Sequence, residues 1–277
     1  MLNKGHLFFA QNTSIDYLTQ AYAAALTIKK FNKYNSTCIV TNDTVPLKYL
    51  KAFDKIITVP WDDDAISSDW KIENRWKLIH CSPFDETIVY DSDVLLLSSN
   101  DHWWNNLEKR DIVLTTNVVN YKGQKIEHDI IHRKTFIENN LPNVYFGVHY
   151  FKKTYRAFEF YKWLEIIVKN WKMFYNEYTL NSTQKFCSMD VSAAIATKIL
   201  NADYEFTAAS PLKFTHMKAG VQGWYPIPPT WQQAVGVHFN KKLELKLSNI
   251  LQTGVFHYTE DNFLTESILK KIEDYCV

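Results

Sequence analysis

The sequence predicts an α/β protein built on an open, mostly parallel, mixed sheet with helices on its faces. Two observations carry this prediction. The first hundred residues alternate short apolar runs with helical stripes, as in chains whose parallel strands are joined by helical crossovers. The run at residues 86–97 is apolar on both sides of a polar interruption, which is typical of a strand buried on both faces. Because the 277 residues contain no linker-like or repetitive segment, we expect a single domain over residues 1–277.

Apolar periodicity divides the first hundred residues into strands and helices. Each predicted strand is a short run such as KIITVPW, and each predicted helix has an apolar stripe such as the one in SIDYLTQAYAAALTIKKF. In chain order the predicted elements are a strand at 6–10, a helix at 14–31, a strand at 36–43, a short helix at 46–53, a strand at 55–61, a helix at 68–84 and a strand at 86–97. Ser68 or Asp69 is the expected N-cap of the third helix, which has to end before Pro83.

Asp91 and Asp93 interrupt the fourth predicted strand. In an extended strand the side chains of residues i and i+2 point to the same face, so the two carboxylates would lie together. Carboxylates are almost never fully buried unless they are paired or bind a metal, and a divalent cation is the usual way to neutralise two adjacent anions. The alternative is a strand end whose aspartates point into water. Ligands of open α/β sheets bind beyond the carboxyl ends of the strands.

Composition limits the class of protein. The net charge is +1, and four of the 31 basic residues are arginine, so extensive arginine recognition of bases or phosphates is not expected. Aromatic residues make up 15% of the chain, and their flat amphipathic rings suit sugars, bases and protein partners alike. The four cysteines are scattered, and neither a secretion signal nor a membrane-length apolar run is present. We therefore expect a cytoplasmic protein without a membrane span, and the oligomeric state stays open.

Five further motifs accompany the aspartate pair in a fixed order along the chain. They are the turn at residues 10–17, the pair Lys77-Leu78, Tyr145-Phe146-Gly147-Val148, Ser188-Met189-Asp190-Val191 and Val255-Phe256-His257-Tyr258. Together with YDSDVLLL they resemble the motifs of a GT-A-type glycosyltransferase, in the pattern of glycogenin and the bacterial galactosyltransferases grouped with it. The chain departs from that pattern at Tyr145, where the family has asparagine, and at Val191, where it has glutamine. The family's lysine-proline-tryptophan after the histidine is also absent.

The resemblance implies a GT-A-like fold in which residues 1–115 bind a nucleotide sugar and residues 116–277 bind an acceptor. A nucleotide diphosphate sugar, which we expect to be UDP-linked, would be the donor, and Mn²⁺ or Mg²⁺ would stabilise the charge that develops on the diphosphate. Asp93 and His257 are the expected principal metal ligands, with Asp91 reaching the metal, the ribose or both, and the imidazole favours Mn²⁺. His216 is the rival ligand, in which case His257 is a core histidine.

The same resemblance implies roles for residues around the metal. The other expected donor-binding residues are Ala10, Asn12, Tyr17, Lys77 and Lys218. Tyr17 would stack on the nucleobase, unless it is a core aromatic. Lys77 would help to hold the donor and Lys218 would neutralise a phosphate, unless both are solvated surface lysines. Asp190 is the expected catalytic residue, near the anomeric carbon or the acceptor hydroxyl, and its alternative role is that of a helix N-cap.

The acceptor side is expected from the second half of the chain. Residues 120–134 are polar and basic, with Gly123 as a hinge, and predict a loop over the site or, alternatively, an ordinary solvated loop. The expected acceptor-binding residues are His128, Arg133, His216 and Trp224. Residues 213–226 and 243–263 are similar to C-terminal stretches of tailed-phage glycosyltransferases. That similarity favours a hydroxymethylated base of phage DNA as the acceptor, with a glycan, a lipid or a protein hydroxyl as the alternative.

Two other classes of function fit parts of the sequence. A nucleotidyltransferase would share the sheet and the acidic metal site, but it normally has a glycine-rich phosphate loop after the first strand, and FFAQNTS contains no glycine. A non-catalytic protein that binds a nucleotide sugar or carbohydrate would explain the departures from the family pattern at Tyr145 and Val191.

Overall fold

The computed structural model describes residues 3–65, 71–126, 130–180, 186–217 and 231–276. Within these ranges the strands are β1 Lys4–Phe9, β2 Thr37–Val40, β3 Lys55–Ile57, β4 Glu86–Tyr90, β5 Val94–Leu96, β6 Ile112–Thr115, β7 Asn117–Val119, β8 Tyr145–Lys152, β9 Lys213–His216, β10 Val237–Phe239, β11 Leu245–Leu247, β12 Ile250–Leu251 and β13 Val255–His257. The α-helices are α1 Tyr17–Phe31, α2 Leu78–Cys81, α3 Trp104–Leu107, α4 Ile130–Glu138, α5 Tyr155–Lys169, α6 Trp171–Tyr178, α7 Met189–Ile199, α8 Asp203–Thr207, α9 Trp231–Ala234 and α10 Glu266–Cys276. Short 3₁₀ helices cover Leu47–Ala52, Ile72–Lys77, Asp101–Trp103 and Asp261–Phe263.

The main sheet has six strands in the order β3-β2-β1-β4-β8-β6. The strands β3, β2, β1 and β4 run parallel to one another, whereas β8 is antiparallel to both β4 and β6. The sheet is therefore mixed and mostly parallel, which confirms the predicted fold class. Because β8 comes from the second half of the chain, both halves contribute to this sheet.

The main sheet separates two apolar cores. Successive side chains of a strand point to opposite faces, so Phe8 of β1 packs on the face covered by α1, while Leu7 and Phe9 pack on the face covered by α5 and α7. Tyr90 and Val89 of β4 divide in the same way. Since both faces are buried, the strands are apolar in unbroken runs instead of alternating with polar residues.

The strand predicted over residues 86–97 is broken at the aspartate pair. β4 ends at Tyr90, and the N–H of Asp91 makes the last bond toward β8, to the carbonyl oxygen of Gly147 at 2.7 Å. The chain then enters a second sheet, of order β5-β13-β9-β7, in which β5 pairs antiparallel with β13. The prediction of one unbroken strand is wrong, because residues 94–96 pair with a strand from the far end of the chain. The break puts the aspartates where the two sheets meet.

Two more predictions of local structure need correction. The helix predicted over residues 68–84 is a 3₁₀ helix followed by the single turn α2, and its expected caps Ser68 and Asp69 lie outside the described residues. The segment 120–134 is not a loop throughout, because α4 begins within it; Gly123 sits in its turn with a φ of 78°, a left-handed value that suits glycine.

The remaining strands β10, β11 and β12 form a small antiparallel sheet. Across the described part of the chain, every helix is too short or too polar to cross a lipid bilayer. The four cysteines are free thiols and three of them are buried.

Candidate active site

Two carboxylates and an imidazole converge where the two sheets meet. Asp91 and Asp93 lie between β4 and β5, and His257 ends β13, where the strand register sets it opposite Val94. One ligand atom from each of the three side chains lies within 4.8 Å of the others. His257 Nε2 is 2.9 Å from Asp93 Oδ2 and 3.9 Å from Asp91 Oδ2. The residues predicted to bind the metal are thus brought together.

The three donor atoms suit a divalent cation. Two ligands at right angles around an ion, each about 2.1 Å from it, are about 3.0 Å apart, which is close to the 2.9 Å between His257 Nε2 and Asp93 Oδ2. Carboxylate oxygens are the ligands that Mg²⁺ and Mn²⁺ prefer, and an imidazole is compatible with Mn²⁺. Asp91, Asp93 and His257 therefore fit the ion that the sequence predicts.

Two cations offset the repulsion between the aspartates when no ion is bound. Arg75 Nη1 pairs with Asp91 Oδ1, and His257 pairs with Asp93. Burial alone would lower the pKa of His257, but the charges of Asp93 and Asp91 outweigh burial and raise that pKa. Burial alone would raise the pKa of Asp93, but the charges of His257 and Arg75 outweigh burial and lower it. Metal binding would release the proton of His257, since only a neutral imidazole can act as a ligand.

Gly147 of β8 makes room for the carboxylate of Asp91. A Cβ on Gly147 would overlap Asp91 Oδ2 and would lie 3.1 Å from its Cγ. The two backbones are joined by the bond from Asp91 N to Gly147 O, so neither can retreat freely. A glycine is required here by the close approach of a side chain and not by an unusual backbone angle.

A cleft of about 210 Å³ opens beside these carboxylates. Its lining comes from β1, the start of α1, the 3₁₀ helix at 72–77, the aspartate turn and β13. The lining residues are Phe9, Gln11, Tyr17, Lys71, Ile72, Arg75, Asp91, Ser92, Asp93 and His257. Tyr17, predicted to bind the donor, is among them, and burial together with the charge of Asp93 raises the pKa of its phenol.

The turn after β1 is organised by Asn12. Its Oδ1 accepts a hydrogen bond from Leu18 N at 2.9 Å, and its Nδ2 donates to Asp16 Oδ1 at 3.1 Å. Ala10 is fully buried, and its N–H donates to β2. Asn12 and Ala10, which were predicted to bind the donor, are thus engaged in the structure of the turn. The cleft wall at this point is formed by Gln11, which lies between them in sequence.

Arg75 is a residue of the site that sequence interpretation missed, as it did Gln11 and Lys71. The lysine predicted to hold the donor, Lys77, is buried; its Nζ donates to the backbone oxygen of Asp62 and lies 3.4 Å from Asp64 Oδ2. Arg75, two residues earlier, lines the cleft and pairs with Asp91 instead. The available signal was chemical, because a guanidinium is a better partner for a carboxylate than an ammonium.

Asp190 lies in the first turn of α7, but it is not the cap of that helix. Ser188 is the N-cap, and its Oγ accepts from Val191 N. The two oxygens of Asp190 are engaged elsewhere: Oδ1 accepts from Phe146 N and Oδ2 accepts from Arg133 Nη1, each at 2.7 Å. The negative charge of Asp190 is also one of the influences that raise the pKa of His257, so its electrostatic field reaches the candidate metal site.

The residues predicted to bind the acceptor fall into three groups. His216 is half-buried beside the triad, and its ring stands edge-on to His257 with 4.8 Å between centroids. Arg133, predicted to bind the acceptor, is 4% exposed. It points inward because its guanidinium is bound by Asp190 and by the carbonyl oxygen of Val144, the residue before β8. His128 and Trp224, like the predicted donor residue Lys218, lie outside the described residues.

No protein-family model matches the chain, and no curated protein matches it in sequence. Two solved structures of LgtC match nearly all of it in three dimensions. An active-site mutant of LgtC is 12% identical, has a TM-score of 0.53, and aligns over 98% of this chain and 94% of its own. The galactosyltransferase LgtC in complex with donor and acceptor sugar analogs is 13% identical, has a TM-score of 0.51, and aligns over 98% of this chain and 95% of its own.

A longer glycosyltransferase, GlyE from Streptococcus pneumoniae, is also similar, at 12% identity and a TM-score of 0.41. This chain spans 44% of the length of GlyE, and 74% of this chain is covered. The two LgtC structures establish that the fold is of the GT-A type, which confirms the fold that the sequence motifs imply. At this level of identity the chemistry has to be argued from the residues of the site.

Proposed function

We propose that this chain, which has the fold of a GT-A-type glycosyltransferase, transfers a sugar from a nucleotide diphosphate sugar to an acceptor hydroxyl in a metal-dependent reaction. One observation carries the proposal. Asp91, Asp93 and His257 converge at the carboxyl end of β4, on the wall of a cleft of about 210 Å³. This is the edge at which open α/β sheets bind their ligands.

The residues around the cleft divide the work of the reaction. Asp91, Asp93 and His257 would hold the divalent ion, which when bound acts as a Lewis acid on the diphosphate leaving group. Arg75 orients the Asp91 carboxylate through their ion pair. Tyr17 offers an aromatic ring for the nucleobase on the same cleft wall.

Asp190 would orient a hydroxyl group of the sugar or of the acceptor. Its carboxylate is held by Phe146 N and Arg133, so it presents a fixed negative group that is 27% exposed. A fixed carboxylate can accept a hydrogen bond from a sugar or acceptor hydroxyl and align it for transfer. We propose this orienting role for Asp190, in keeping with the role that the family resemblance implies.

We further propose a UDP-linked donor, Mn²⁺ as the preferred ion, and a hydroxymethylated DNA base as the acceptor. The imidazole ligand supports Mn²⁺ over Mg²⁺, and the C-terminal similarity to phage glycosyltransferases supports the DNA acceptor. Two exposed lysines, Lys122 and Lys125, stand on the turn after β7 and could contact phosphates. Arg133 no longer supports this acceptor, because it is buried.

The test is turnover of a panel of nucleotide sugars with Mn²⁺, measured as released UDP or GDP and as label transferred to DNA. We expect release from at least one UDP-sugar and transfer to hydroxymethylcytosine or hydroxymethyluracil DNA, but not to unmodified DNA. Release without DNA labelling would refute the DNA acceptor and favour a glycan. Metal-dependent UDP binding without any release would instead identify a non-catalytic nucleotide-sugar-binding protein.

A further inference from the structure

Arg133 of α4 uses every edge of its guanidinium on groups near the candidate site. Nη1 donates to Asp190 Oδ2 and Nε donates to Asn143 Oδ1, each at 2.7 Å, and Nη2 donates to the carbonyl oxygen of Val144. The side chain is 4% exposed. A buried arginine with this many partners has a single available orientation, since any rotation would leave buried polar groups unpaired.

Two aromatic rings pack against the same guanidinium. Its Cζ lies 3.7 Å from the ring centroid of Tyr145 and 4.0 Å from that of Phe136. Cation–π contacts of this kind strengthen when they are removed from water. Hydrogen bonds from the guanidinium nitrogens and contacts with two aromatic rings together restrain Arg133.

Arg133 and the backbone of Phe146 together orient the Asp190 carboxylate. Arg133 holds Oδ2, and the N–H of Phe146 in β8 holds Oδ1. Asp190 itself projects from α7, so three elements, α4, α7 and β8, meet at one carboxyl group. A charge-assisted bond from a fixed guanidinium is the stronger of the two restraints.

We propose that Arg133 is a positioning residue for the transfer reaction, which sets the orientation of the Asp190 carboxylate and does not itself bind the acceptor. The inference rests on the proposed glycosyltransferase function. It explains why this arginine, which lies in the segment predicted to bind the acceptor, points inward and pairs with Asp190. The restraint comes from α4, so the position of α4 and the orientation of Asp190 are linked.

The test compares Arg133→Met, Arg133→Lys and a matched control, Arg156→Met. Arg156 is likewise paired with carboxylates, those of Glu159 and Glu205, but these belong to α5 and α8 and not to the group that holds Asp190. Arg133→Met keeps much of the aliphatic part of the side chain and removes the guanidinium with its hydrogen bonds. We expect kcat to fall about 100-fold, as for a misplaced reacting group, while the donor KM and the affinity for UDP with Mn²⁺ stay within about twofold of wild type. Arg133→Lys should recover about tenfold of that loss, because it restores the charge beside Asp190 without the guanidinium.

A second readout does not depend on turnover. Hydrogen exchange at the Phe146 amide, which donates to Asp190, should be faster in Arg133→Met and unchanged in Arg156→Met. A wild-type kcat in Arg133→Met, a kcat loss matched by a loss of donor affinity, or unchanged Phe146 exchange would each overturn the positioning role. If the wild-type protein turns over no donor, the proposed function fails, and Phe146 exchange still decides whether Arg133 restrains Asp190. Should Arg133→Met not fold, the same criteria apply to Arg133→Lys.

Discussion

Replacing Gly147 with alanine should damage the metal site far more than it damages the fold. The added Cβ would overlap Asp91 Oδ2, and the carboxylate would have to move about 1 Å to reach ordinary contact distance. Metal–ligand distances tolerate only about 0.2 Å, so a shift of that size removes Asp91 as a ligand and breaks its pair with Arg75. Removing groups that merely orient ligands costs about 10- to 100-fold in metal affinity, and we expect at least the upper value here. Overpacking at such a site costs about 1–3 kcal/mol of stability.

The assay for Gly147→Ala is calorimetric titration with UDP and Mn²⁺, accompanied by chemical denaturation. Gly236→Ala is the matched control, since a Cβ there would have no neighbour within 4 Å and its backbone is not in the left-handed region. We expect the control to bind and unfold like the wild type. If Gly147→Ala binds Mn²⁺ and UDP with wild-type affinity, the packing of Asp91 against Gly147 does not define the site, and the reasoning from that contact is refuted.

The remaining predictions concern the triad and the buried histidines. Asp93→Asn should lose metal-dependent UDP binding and, without metal, should melt at a lower temperature than wild type, because the pair with His257 outweighs repulsion from Asp91; a higher melting temperature would show that repulsion dominates. His257→Ala should abolish Mn²⁺-dependent UDP binding, whereas His216→Ala should preserve binding and lower turnover, and the reverse pattern in calorimetry would make His216 the ligand. The free energy of unfolding should fall as the pH drops from 6.5 to 5, because burial lowers the pKa of His6 to about 4 and that of His149 to about 3. The unfolded chain then takes up two protons that the folded chain does not, so the slope approaches about 2.7 kcal/mol per pH unit, and a flat urea-denaturation profile over this range would contradict it.

Local patterns predicted the first half of the fold well. The alternation of apolar runs and helical stripes reflects strands covered on both faces, and that requirement leaves its mark on each segment separately. The proximity of Asp91 and Asp93 was visible for the same reason, whereas the end of β4 before them was not. His257 could be assigned only through the family resemblance, since the carboxylates that it contacts, Asp91 and Asp93, lie in a distant part of the sequence.

Features that depend on distant partners escaped prediction. β5 has the same apolar character as β4, and only its pairing with β13 reveals that it belongs to another sheet. Lys77 and Arg75 lie two residues apart, but only Arg75 lines the cleft. Lys77 is held away from it by Asp62 and Asp64, whereas Arg75 pairs with Asp91. Arg133 appeared to belong to a basic loop, whereas a carboxylate on α7 draws it into the interior. In each case the deciding contact is made with a residue outside the local segment from which the prediction was drawn.

The central claim is that Asp91, Asp93 and His257 hold one divalent ion against a nucleoside diphosphate. Crystals grown with Mn²⁺ and UDP, measured at the manganese absorption edge, test this directly. We predict a single anomalous peak within about 2.3 Å of a ligand atom from each of the three residues, with the diphosphate on the open side of the ion and no peak in Asp93→Asn crystals. UDP bound in the cleft without an ion at the triad, or an ion held elsewhere, would contradict the account.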